Sequence, residues 1–105
     1  MNVYSTKIYE KWFFKLKDKV ARAKIDTRIR RIKTNGNFGD CESVSQNVSE
    51  LRIDYGPGYR IYITIKTDIV VILLVGGDKS SQRRDIKKAE KMAVSVMGEE
   101  MSEWF

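Results

Sequence analysis

Apolar positions change spacing along the chain, and each change marks an element. Val3 to Ser5 read as a short first strand. After Thr6, a hydroxyl residue suited to cap a helix, Tyr9, Trp12, Phe13, Leu16 and Val20 recur at helical spacing. Ala21, Ile25, Ile29 and Ile32 continue it, with Asp18 as a second candidate cap. An uncapped helix running the whole way is uncommon, so the pattern predicts two helices folded as a hairpin. Asn35-Gly36-Asn37-Phe38-Gly39-Asp40 ends the helical region with turn and C-cap residues.

Beyond that turn the period falls to two. Leu51, Ile53 and Tyr55 alternate with Glu50, Arg52 and Asp54. After Gly56-Pro57-Gly58, the residues Tyr59, Ile61, Ile63 and Ile65 alternate with Arg60, Tyr62, Thr64 and Lys66. This is the signature of an antiparallel hairpin. Asp40 to Val44 add an earlier candidate strand. Ile69 to Val75, apolar on both faces, predict a central strand closed by Gly76-Gly77-Asp78. A last helix starts near Ser80 or Ser81, with Ile86, Ala89, Ala93, Val96 and Met97 as its apolar stripe and Gly98 as its end. The expected fold is a single α+β domain over residues 1–105, with an N-terminal helical hairpin and a C-terminal helix packed on a small antiparallel sheet. Residues 99–105 form an acidic tail ending in Trp104 and Phe105.

Composition narrows the chemistry. The 105 residues contain no histidine and one cysteine, Cys41. Cys/His zinc sites, Ser-His-Asp and Cys-His catalysis are therefore excluded, and proton transfers fall to Lys, Tyr, Asp or Glu. Cys41 has no internal disulfide partner and no basic neighbour in sequence to activate it, so it reads as structural or incidental. No apolar run approaches the ~18–20 residues of a membrane span, and no secretory leader is evident at the N-terminus. The expectation is a cytoplasmic protein without a membrane partner.

The net charge of +6 is uneven. Residues 1–40 carry eleven Lys/Arg and four acids, residues 41–78 three and five, and residues 79–105 six and five. Basic positions in the first part, Lys15, Lys19, Arg22, Arg30, Arg31 and Lys33, either track a nucleic-acid backbone or form a solvated helix face. On the hairpin, pairing Tyr55 with Tyr59 sets Asp54 opposite Arg60 and Arg52 opposite Tyr62, all on the face away from Leu51, Ile53, Ile61 and Ile63. That face is either a phosphate-binding and base-stacking cluster or a solvated face with an Asp54–Arg60 ion pair. The segment Gly76-Gly77-Asp78-Lys79-Ser80-Ser81-Gln82 is either an anion site at a helix start or a tight turn with a cap. Trp12 belongs to the core or edges a partner groove.

Taken together, Gly36-Asn37-Phe38-Gly39-Asp40, Glu50-Leu51-Arg52, Gly56-Pro57-Gly58-Tyr59-Arg60-Ile61-Tyr62, and Gly76-Gly77-Asp78-Lys79-Ser80-Ser81-Gln82 with Asp85-Ile86 resemble the RelE/ParE toxin superfamily, in particular its HigB-like "addiction module killer" branch. The resemblance covers about residues 5–92. It implies a microbial ribonuclease-like α+β fold and a type II toxin that cuts mRNA on the ribosome. It also implies a cognate helix-turn-helix antitoxin, through which the complex meets operator DNA. Arg52, Arg60 and Lys79 match the family's basic catalytic positions. Tyr62 and Gln82 are implied as substrate contacts, and Arg30, Arg31 and Lys33 stand as candidate RNA contacts. No metal and no cofactor is expected, because the ribose 2′-OH is the nucleophile and cations stabilise the charge gathering on phosphorus. The alternative within the superfamily is a ParE-like inhibitor of DNA gyrase without nuclease activity. A third is a member that keeps only antitoxin binding and repression.

Overall fold

The first and last regular segments of the chain meet on one edge of a sheet whose interior is built from the middle. In the computed structural model, which describes residues 1–67, 70–96 and 101–104, the order is β1 (Asn2–Thr6), α1 (Lys7–Lys15), α2 (Lys19–Asn35), β2 (Cys41–Ser45), β3 (Val48–Ile53), β4 (Tyr59–Thr67), β5 (Val70–Asp78), a 3-10 turn (Lys79–Ser81), α3 (Gln82–Ser95) and β6 (Met101–Glu103). The sheet runs β2-β3-β4-β5-β1-β6. Every pairing is antiparallel except β1 with β5. The mixed sheet corrects the antiparallel expectation. The chain leaves β1 through two helices and returns by a meander, a long crossover that allows parallel pairing. β5 lies between β4 and β1 as its unbroken apolar run requires, although Ile69 lies outside the described residues.

The helix boundaries follow local chemistry. The Thr6 hydroxyl accepts from Tyr9 N at 3.1 Å and donates to the Leu74 carbonyl at 2.7 Å, so it caps α1 and ties it to β5. Asp18 caps α2 by accepting from Val20 N and Ala21 N. Gly36 ends α2 in the left-handed region at φ 69°. Because the chain breaks at Leu16–Asp18, Val20 falls at the start of α2 and is exposed, not part of the buried stripe.

Tyr9, Phe13, Ala21, Ile25, Ile29 and Ile32 cover one sheet face, over Leu51, Ile61, Ile63, Val71 and Leu73. Ala89, Met92, Ala93 and Val96 of α3 cover the other, over Val48, Tyr62, Ile72, Leu74 and Val75. The sheet is thus buried on both sides. The expected helix residues Met97 and Gly98 lie outside the described residues.

Residues 101–104 of the acidic tail join the sheet edge. β6 pairs with β1, and Trp104 is buried edge-on against Tyr9 and Phe13, with centroids 5.2 and 5.0 Å apart. Trp104 N donates to the Val3 carbonyl at 2.8 Å.

Gly76 and Gly77 do not close β5 as expected. They are paired within it, opposite Ile61 and Arg60. A Cβ on Gly76 would sit 2.1 Å from the Trp12 ring, and one on Gly77 would sit 2.0 Å from Asp85 Oδ2. Successive strand residues face opposite ways. Gly76 therefore admits α1 on one face and Gly77 admits the start of α3 on the other.

Candidate active site

The β3–β4 register differs by two residues from the one predicted. Arg52 pairs with Arg60, Glu50 with Tyr62 and Ile53 with Tyr59. The reason is the connection. β3 stops at Ile53, and residues 54–58 form the turn, with Tyr55 N bonded to Ile53 O and Gly58 N to Tyr55 O. Asp54 is exposed in that turn and does not face Arg60. Tyr55 leaves the strand to donate its hydroxyl to Asp18 at 2.9 Å.

Arg52, Arg60, Glu50 and Tyr62 share a sheet face, but α3 covers much of it. Two guanidinium groups opposite one another repel, and the carboxylate between them offsets this. Glu50 is 1% exposed, with Oε1 at 3.9 Å from both Arg52 Nε and Arg60 Nε. Its Oε2 accepts from Gln82 Nε2 at 2.8 Å. A buried carboxylate persists only where cations and donors meet it, and here three side chains do so. Burial, then Glu50 and Asp85, push the Tyr62 hydroxyl well above its ordinary pKa and keep it protonated.

The two arginines are in different states. Arg52 is held at the sheet margin by Glu42 at 2.6 Å and Asp40 at 3.3 Å. Its carbonyl accepts from Arg28 Nη1 at 2.5 Å, and Arg28 also binds the Phe38 and Asp40 carbonyls. Arg60 is 12% exposed, has Glu50 as its only close carboxylate among the described residues, and has no hydrogen-bond partner on Nε. A guanidinium presents five donors in a fixed fork that matches phosphate. Arg52 Nε lacks a hydrogen-bond partner as well, but Arg52 Nη2 is engaged by Glu42, whereas among the described residues nothing hydrogen-bonds the Nη groups of Arg60.

The start of α3 completes this end of the sheet. Asp78 accepts from Ser80 N at 2.8 Å and Ser80 Oγ at 2.5 Å, and the Ser80 hydroxyl holds its carboxyl below the usual range. Ser81 Oγ donates to Asp85 Oδ2 at 2.5 Å. Asp78 therefore occupies the helix start with its own charge. The reading of this segment as a capped turn holds, and its reading as an anion site does not. Lys79 is exposed, with its aliphatic chain against Gly58 of the β3–β4 turn.

The expected residues divide accordingly. Arg52, Arg60, Tyr62 and Gln82 gather around Glu50, and Lys79 stands at the same end of β4 and β5. Tyr62 has no exposed surface, so burial excludes the base-stacking role expected of it. Arg30, Arg31 and Lys33 lie on α2, across the sheet from this cluster. Arg30 pairs with Asp26 at 2.8 Å, Arg31 lines a cleft beside Lys24 and Asp54, and Lys33 Nζ donates to the Trp104 carbonyl at 2.9 Å. Glu50 was missed as a site residue. Its one sequence signal was an acid at the same strand parity as Arg52.

The arrangement defines a mixed-sheet α/β domain with an arginine pair steered by a buried carboxylate at one end of the sheet. Among the described residues no helix is long and apolar enough to cross a membrane. Residues 11–95 match the family described as phage derived protein Gp49-like (DUF891), and the chain belongs to that family. A Haemophilus influenzae protein named "Uncharacterized protein" is 47% identical over 93 residues, covering 89% of this chain and 93% of its own length.

Proposed function

We propose that this protein is the toxin of a type II toxin–antitoxin module, a cytoplasmic endoribonuclease that cuts mRNA on the ribosome. In this reading the fold is RelE-like, with α1 and α2 as its helical hairpin, and a helix-turn-helix antitoxin neutralises it and carries it to operator DNA. The Gp49-like family is toxin–antitoxin-associated, which supports the module. The observation that carries the chemistry is Arg60, a largely buried guanidinium held beside Glu50, with no hydrogen bond on its Nη groups among the described residues.

In the proposed reaction the ribose 2′-oxygen attacks the adjacent phosphorus and loses its proton. The 5′-oxygen leaves and gains one, giving a 2′,3′-cyclic phosphate and a 5′-hydroxyl. Arg60 binds the phosphate and stabilises the charge that builds on it, with Arg52 as companion and Lys79 as the second cation at the mouth of the site. Such preorganised stabilisation is commonly the largest catalytic term. Glu50 and Gln82 act through Arg60 by fixing its orientation, and Gln82 also lies within reach of the substrate. Arg30, Arg31 and Lys33, across the sheet, are not assigned to the scissile strand.

The test is primer extension on one message with purified protein, with and without translating ribosomes. Codon-register cuts seen only with ribosomes are expected, with Arg60→Ala slowing them ~10²–10³-fold. Cuts on naked RNA would overturn the ribosome requirement. Cuts undiminished in a folded Arg60→Ala protein would remove Arg60 from the mechanism. Growth arrest without any cuts would favour the gyrase reading, to be checked by supercoiling.

A further inference from the structure

The outer face of α3 carries a charge pattern that the proposed cleavage site does not use. Arg83, Arg84, Lys87, Lys88 and Lys91 are all exposed and, with Ser80 and Ser81, line an open groove of about 600 Å³. The spacing sets Arg83, Lys87 and Lys91 in one row and Arg84 and Lys88 in the next. The stripe therefore runs about 12 Å along the helix.

Helix stability does not account for this pattern. Like charges four residues apart repel, and two arginines in the first turn oppose the helix dipole, which favours anions there. None of the five side chains has a carboxylate within 4 Å among the described residues. The acids nearby are otherwise engaged. Asp85 is buried beneath the helix, bound to Ser81. Asp78 caps the turn and is close enough to Arg84 to feel its charge. Glu90 faces a different groove, with Gln46 and Val94. A row of unpaired cations on a rigid helix that begins at the candidate active site fits an extended polyanion.

The same face indicates which polyanion. Proteins that grip single strands supply aromatic platforms on which bases stack. Among the described residues no aromatic side chain lines this groove. What it offers is charge at regular intervals, suited to phosphates held in a fixed helical array and read by shape. We propose that the outer face of α3 is a sequence-independent docking surface for the backbone of double-helical RNA, separate from the site assigned to the scissile strand.

The proposal is tested by binding, apart from cleavage. Fluorescence anisotropy of full-length Arg60→Ala protein would follow a 20-base-pair RNA duplex, a single-stranded RNA of the same length and a polyglutamate peptide across a salt series. Duplex binding is expected with a log–log salt slope of about −4, indifferent to sequence. The triple variant Lys87→Gln, Lys88→Gln, Lys91→Gln should lose about 2–3 of that slope and at least tenfold in affinity at low salt, with an unchanged melting curve. Lys→Arg at the same positions should restore both. Unchanged duplex binding by the folded Gln variant would overturn the proposal, as would preference for the single strand or for polyglutamate. If the wild type binds duplex but cuts nothing, only the nuclease reading fails. If it cuts in register while duplex binding is absent, only this one does.

Discussion

Removing the charge of Glu50 isolates the electrostatics that hold Arg60. The carboxylate lies 3.9 Å from Arg52 Nε and from Arg60 Nε. With an effective dielectric of about 20, each contact is worth about 4 kcal/mol before desolvation is subtracted. The two losses are unequal. Arg52 is one-third exposed and keeps Asp40 and Glu42. Arg60 is 12% exposed and keeps no carboxylate within 4 Å among the described residues. Glu50→Gln preserves shape and an acceptor for Gln82, so the change is mainly an orphaned charge at Arg60. Breaking a buried pair costs about 3–5 kcal/mol, and the partial exposure of Arg60 points to the lower end, about 3 kcal/mol. For a domain of this size that lowers Tm by about 12–20 °C. Thermal and urea unfolding followed by circular dichroism would measure it. Adding Arg60→Met to Glu50→Gln should recover most of the loss, since no unpaired charge then remains. The reasoning fails if Glu50→Gln lies within about 0.5 kcal/mol of the parent, or if the double variant is no more stable than the single one.

Two further outcomes follow from other parts of the molecule. Trp104→Ala empties a site flanked by Tyr9 and Phe13. It should cost about 3 kcal/mol, read as a lowered urea midpoint at constant m, and a neutral result would mean that β6 does not anchor the core. Tyr9 and Tyr62 are both pushed above the ordinary 10.0, first by burial, so their neutral forms belong to the folded state. Their contribution is intact below pH 10 and is lost as pH climbs toward the folded-state values. Stability measured from pH 8 to 11 should fall above 10, and Tyr62→Phe should flatten the fall.

Features governed by neighbours in sequence were legible in it. Thr6, Asp18 and Gly36 mark helix ends because capping involves residues two to four apart, and the alternating strands show their inner faces directly. The hairpin register was not legible. Gly-Pro-Gly looks like a whole turn, whereas Tyr55 is drawn out of the strand by Asp18, far away in sequence. Burial of Glu50 and Tyr62 was hidden for a similar reason. Alternation assigns them to a polar face, and only the docking of α3 covers it. Trp104 stands in an acidic tail whose sequence names no neighbour for it, because its partners Tyr9 and Phe13 are nearly the length of the chain away. The site's basic residues were visible by type, but the carboxylate that organises them depended on contacts that spacing does not reveal.

Gly76 and Gly77 have a consequence for how such a protein can change over generations. One dipeptide provides clearance for Trp12 on one side of the sheet and for Asp85 on the other. A lineage can enlarge neither position until the opposing residue has shrunk. The two layers therefore share a point at which neither drifts freely. Variation should run instead through the outward surface of α2, leaving the mouth of the arginine site in place while its surroundings diversify.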